Sequence, residues 1–261
     1  MGTSAAQRSP STPEWERVRE LYRHQNPDPG HIAAEVVAAL DAPTVRAMSG
    51  PAVSLCLGAV LHGSARANAE GLAALLQSLG APAGPPAIQV AAGLRGYAES
   101  QIVGAGVSSR FGDLALDAIG TLSLAVAAEA QQGGVFQLSP SAVETQWARY
   151  SREGRLDALS AQFMAHDLDH AMRYFVARDL SEFVGTDAIP TVLVGSQLLE
   201  RVGQYCRERT RSIALGDFLP EISAHVGASS SPAERLSAVQ ALAPVVDAGL
   251  SQGLQLLSGG G

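Results

Sequence analysis

Apolar residues recur at spacings of three and four along most of this chain, the period of helices that bury one face. In "STPEWERVRELYRHQ", Trp15, Val18, Leu21 and Tyr22 share a side. Thr12 stands where an N-cap oxygen is needed, Pro13 occupies the first turn, and Glu14 and Glu16 lie near the positive end of the helix dipole. A helix is predicted from Pro13 to just before "NPDPG". The same periodicity predicts helices over roughly 31–40 and after Pro43, then one long or two consecutive helices from "PAVSLCLG" to about Gly80.

The stretch "APAGPPA" (81–87) interrupts the pattern, and its Pro and Gly content marks it as a linker between an N-terminal helical layer (13–80) and a main helical domain (88–257). From Ile88 the helical pattern resumes, passes through "IVGAGVSSRFG" and continues to about Ala130, where "QQGG" stops it. Ser139 precedes Pro140, and Ser141 with Glu144 fits a capping box. Within "RLDALSAQFMAHDLDHAMRYFVARDLSEFVG", the residues Leu156, Leu159, Phe163, Leu168, Met172, Phe175, Val176, Leu180 and Phe183 mark one apolar face, with the polar residues opposite. A helix over 191–214 and a last one capped by Ser231 with Glu234 complete the chain, with Pro244 expected to kink or divide the latter. Regular alternation and Asn-Gly or Asp-Gly hairpin turns are missing. The predicted fold class is all-α, a multi-helix bundle with flexible ends at 1–12 and 258–261.

Composition narrows the chemistry. The 261 residues are 46% hydrophobic but only 5% aromatic, so packing should depend on close helix approach more than on large rings. All 18 basic residues are Arg, which removes every mechanism that needs a lysine amine. With net charge −7 and no basic face beyond "RERTR" at 207–211, direct nucleic-acid binding is not expected. The charged start lacks a secretory signal, and "LALDAIGTLSLAVAAEA" (114–130) is short and interrupted by Asp117, Gly120 and Glu129. A cytoplasmic protein without a membrane span follows as the expectation. Cys56 and Cys206 read as two reduced, buried thiols.

One internal stretch invites a catalytic reading. In "AHDLDHAM", His166 and His170 are four apart and share a helix face, the spacing by which two imidazoles bind one zinc ion. A helical metal-dependent hydrolase would also need a water-activating acid, for which Asp167 is one methylene short of Glu, and a third ligand. Glu182 lies twelve residues past His170, roughly 18 Å along the axis, and His62 lies beyond the expected linker. The plainer reading places both histidines on a polar face with Asp167 and Asp169 as charge partners, binding no metal and needing no cofactor. Arg207 and Arg211 share a face that is solvated or meets a partner. The "GAG" at 104–106 marks close packing or a turn, and "LLSGGG" a glycine-terminated helix end.

The tail remains. Removal of Met1 would expose a Gly2 amine followed by the small residues Thr3 and Ser4. The start "MGTS", the polar Pro-containing leader, the helical body and the stretch "YFVARDLSEFVGTDAIPT" resemble the QatB-like proteins of bacterial anti-phage defence, whether of the Qat system or another QueC-associated one. The resemblance implies a non-enzymatic component encoded beside an ATPase, a QueC-like enzyme and a TatD-like nuclease, with Gly2 a candidate substrate for the QueC-like partner. An unmodified helical adaptor is the simpler alternative.

Overall fold

Short side chains with an oxygen fix where many of the helices begin. The structure, a computed structural model, describes residues 10–129, 139–215 and 232–259. Thr12 accepts a hydrogen bond from the Trp15 amide and opens α1 (Pro13–Leu21). Asp28 accepts from the His31 amide at 2.7 Å and opens α2 (Pro29–Ala39). Asp41 does the same for Thr44 at 2.8 Å, opening α3 (Ala42–Met48). Each cap is followed within two residues by proline, whose missing N–H and fixed φ suit a first turn.

The long apolar stretch is two helices, α4 (Pro51–Glu70) and α5 (Leu72–Ser78), separated at Gly71. Next come α6 (Pro86–Ala105) and α7 (Arg110–Glu129). The helical pattern that runs through 104–109 is broken by a turn, one of the two readings of the "GAG" stretch: Gly106 adopts φ +65°, a left-handed C-cap that a residue with a Cβ rarely takes. After 139 follow α8 (Pro140–Arg152), α9 (Leu156–Leu180), α10 (Val192–Thr210) and α11 (Pro232–Ser258). Ser139 caps α8 and Thr191 caps α10. Among the described residues there is no strand, only an isolated bridge between Val184 and Ile189. The fold is an all-α multi-helix bundle.

Several local expectations change. Glu144 does not complete a capping box; its carboxylate reaches across to accept from the Leu72 amide at 2.9 Å, capping α5 from another helix. Pro244 does not divide α11, which runs unbroken through it. Leu242, Val246 and Leu250 are buried on both sides of the proline, so packing holds the two halves in line despite the lost backbone bond. The Ser231–Glu234 cap, the tail at 1–9 and Gly260 and Gly261 lie outside the described residues.

Helix α9 lies near the centre, packing on α7, α10, α11 and α4, while α4 packs on α6, α7, α8 and α11. One hydrophobic core joins helices from both sides of residues 81–87, and α6 already begins within that stretch, at Pro86. Trp15, Val18 and Tyr22 of the first helix are buried against it, with Trp15 on Phe175 and Tyr22 on Phe183. Two stretches, Ala42–Glu70 and Arg110–Glu129, are long and apolar enough to cross a membrane by length and composition. Here α4 and α7 are core helices of the bundle, with 61% and 50% of those apolar stretches buried.

Close approach replaces bulk at the crossings. A Cβ on Gly112 would sit 2.7 Å from the Cβ of Ala52, so α4 and α7 meet only because the glycine is bare. Gly112→Ala should therefore destabilise the fold by about 1–3 kcal/mol, because a methyl against a methyl forces the helices apart. Gly120→Ala on the same helix, with no neighbour within 4 Å, should stabilise it by roughly 0.5–1 kcal/mol. Urea unfolding of both variants checks this sign difference, and equal behaviour would refute the crossing argument.

Candidate functional site

The segment "AHDLDHAM" falls in the middle of α9, and its four polar residues separate into four surroundings. Helix α9 is covered on nearly every side, only Asp157 and Ala177 being exposed, so the helix has no polar face in the predicted sense. Asp167 is buried at 4% exposure and accepts no hydrogen bond from any described residue. It points into the core, where its charge would reach the buried Cys56. Loss of water pushes its carboxyl up to about 8. Both cysteines are free and buried; burial raises both thiols, Cys206 to about 12.

Asp169 is equally buried but fully engaged. The Arg173 Nε and the Arg207 Nη1 each donate to one of its oxygens, and Glu200 closes the set, accepting from Arg173 at 2.7 Å and from Arg207 at 3.4 Å. Two acids and two arginines thus alternate between α9 and α10. Gly203 lies directly beneath: a Cβ there would overlap Asp169 and Arg173, so the bare glycine lets the two helices come close enough for the pairs to form. Arg207 is therefore not a solvated residue; it is half-buried in a network.

His166 and His170 stay on the side of α9 that meets α7. His170 Nε2 sits 3.3 Å from the Thr121 hydroxyl, and burial lowers its imidazole pKa. His166, one turn earlier, is pushed down to about 4 by burial, and its Nδ1 is enclosed with no hydrogen-bond partner. Glu182 lies past the C-terminus of α9, and His62 stacks on Tyr97 in the α4–α6 layer, ring centroids 5.2 Å apart. Among the described residues no group of three His, Cys, Asp or Glu could hold a metal ion. The predicted modification residues Gly2, Thr3 and Ser4 lie outside the described residues.

Where α7, α9 and α10 meet beside His166, a cleft of about 520 Å³ opens. Its floor is four alanines, Ala125 of α7 and Ala158, Ala161 and Ala165 of α9. Arg207 and Arg211 at the end of α10, Glu129 of α7 and Gln162 of α9 complete the lining. Glu129 is the last described residue of α7. Three donors hold it there: Gln146 Nε2 at 2.7 Å, the Tyr150 hydroxyl at 2.9 Å and Gln162 Nε2 at 3.2 Å. The same hydroxyl takes a further bond from Gln162 at 3.0 Å, and desolvation together with Glu129 pushes Tyr150 up to about 12. Sequence spacing pointed to His166, Arg207 and Arg211 separately. Glu129, Gln162 and the alanine floor carry no motif, and only the helix crossing gathers them.

A second concavity of about 490 Å³ lies at the start of α10, lined by Pro27, Ala188, Ile189, Val194 and Leu198 among others. Val192 and Leu193 beside it, at 71% and 67%, are with Val103 at 66% the most exposed large apolar side chains among the described residues. No protein family, curated protein or solved structure matches the chain at a significant level.

Asp167 generates a pH prediction. In the unfolded chain an aspartate ionises near 3.9, whereas in the fold it does so at about 8, so folding takes up a proton between those values. Its contribution to stability falls as pH rises through that window. Asp167→Asn removes this dependence, so the variant's melting temperature should gain on the parent's steadily from pH 5 to pH 8. His166 acts oppositely below its unfolded value but is common to both proteins and cancels in the difference. A gap that is flat or that narrows with rising pH would contradict a neutral buried Asp167.

Proposed function

We propose that this chain is a non-enzymatic, helical component of a bacterial anti-phage defence assembly, resembling QatB-like proteins, and that its Gly2 amine is modified by a QueC-like partner enzyme. The observation that carries the non-enzymatic half is the fate of the "HDLDH" residues. Asp169 is consumed by Arg173 and Arg207, and Asp167 is sealed in the core. Neither is placed to activate a water beside His166 and His170. The exposed Val192 and Leu193 supply apolar surface for a protein partner.

The modification half rests on the sequence. The resemblance at Met1 to Ser4 supports it, with Thr3 and Ser4 as the small residues that follow the acceptor into a narrow pocket. So does the lack of lysine, which leaves an α-amine as the one kind of primary amine available. An α-amine with a reference pKa of about 7.7–8.0 is neutral in appreciable part at pH 7, whereas a lysine near 10.4 is not. Attack on an activated carbonyl or nitrile-derived group is thus reasonable chemistry at Gly2. The assembly would work in the cytoplasm, through the QueC-like enzyme and other products of the same operon, with no direct nucleic-acid or membrane contact and no cofactor of its own.

Intact-mass spectrometry of the chain co-expressed with its neighbouring genes tests the proposal. The expected result is a mass increment confined to the N-terminal peptide of a Met1-free chain. Gly2→Trp should abolish the increment and any protection against phage while leaving the helical circular dichroism unchanged. An unmodified Gly2 or a retained Met1, with protection intact in the variant, would refute it.

A further inference from the structure

The cleft between α7, α9 and α10 has features that the bundle itself does not require. Its floor is made of alanines at 158, 161 and 165, successive positions along one side of α9, where larger side chains would fill the groove and bury more apolar surface. Glu129 is held in place by three side-chain donors, as expected when the position of a carboxylate matters. Arg211 has no hydrogen-bond or ion-pair partner among the described residues, although it lines the same cleft as that carboxylate. His166 adds an imidazole whose Nδ1 is enclosed without a partner. The volume of about 520 Å³ lies in the range of small-molecule sites, and a mostly apolar concavity with a few converging polar groups is their usual form.

We propose that this cleft binds a small amphoteric molecule, seating an acidic group (carboxylate or phosphate) against Arg211 and Arg207 and an N–H donor group against Glu129, over the alanine floor. The two signs of charge in the lining decide the class. A guanidinium only donates and a carboxylate only accepts, so a ligand must present acceptors at one end and donors at the other. Arg207, already paired with Asp169 and Glu200, supplies charge from a fixed position, and Arg211, which pairs with nothing described, supplies the adjustable contact. Neutral His166 offers one donor or acceptor between them. Free amino acids and purine nucleoside monophosphates both have this chemistry, through carboxylate and ammonium in the first and phosphate and exocyclic amine in the second.

The test uses the whole chain labelled with ¹³C at alanine methyls, titrated separately with L-glutamate, adenosine 5′-monophosphate and inorganic phosphate. Either organic probe should shift the methyls of Ala125, Ala158, Ala161 and Ala165 saturably, leaving that of the distant Ala33 unmoved. A response to the amino acid alone or to the nucleotide alone identifies the source, and both outcomes support the site. Arg211→Gln, at an exposed residue that bonds to no other described residue, should weaken binding roughly tenfold or more, the loss of a charge-assisted bond. Ala158→Leu should abolish the response by filling the floor. Three results would overturn the proposal: no floor shift by either organic probe up to about 1 mM, the weak-binding limit; equal affinity for inorganic phosphate, which has no donor end for Glu129; or unchanged binding in Arg211→Gln.

Discussion

A helix buried on nearly all sides must either pair or neutralise each carboxyl it carries, and α9 carries three into the interior. Asp169 is paired by two arginines from its own helix and α10. Asp179 is paired at 3.2 Å with Arg19 of α1, itself mostly covered. Asp167 has no partner among the described residues and is held neutral by the cost of desolvation. Much of the bundle's arrangement follows from meeting these demands. The Asp169 pairs fix how α10 lies on α9, and Gly203 is where that crossing permits no side chain. The Asp179 pair ties the N-terminal helix to the far end of α9.

That far end shows how charge and aromatic packing cooperate. The Arg178 guanidinium lies over Trp15 at 5.0 Å, Phe175 at 5.2 Å and Tyr174 at 5.5 Å from the ring centroids. A planar cation on ring faces can be covered at little cost, which suits a site where α1 closes over α9. Removing a partner from such a place leaves a buried charge alone, and the loss exceeds what the pair contributes when intact. The Arg19–Asp179 pair joins residues 160 positions apart, so the first helix is integral to the core and not an appendage of the leader.

The surroundings of α9 also link fold and proposed function. On its core side the helix has no room for a reacting group, and its acids serve packing. On its α7–α10 side, small residues leave a cleft whose lining holds charges of both signs.

Helix identity was legible in the sequence because it depends on local chemistry: the apolar period, and caps such as Thr12, Ser139 and Thr191 that bond to amides three residues on. Gly106 was visible too, although only its left-handed backbone shows that it ends a helix. The positions of Asp167 and Asp169 were not legible, because the helical period assigns a residue to a direction and says nothing of whether another helix covers it. Neither was the role of Glu144, whose carboxylate caps a helix 72 residues away, nor the continuity of α11 through Pro244, which is held by burial on both sides. The sequence by itself determined the class of structure and the exclusion of lysine chemistry. Only the tertiary structure decided that His166 borders a cleft with Glu129 and Arg211, because three helices must cross before residues so far apart along the chain can share one surface.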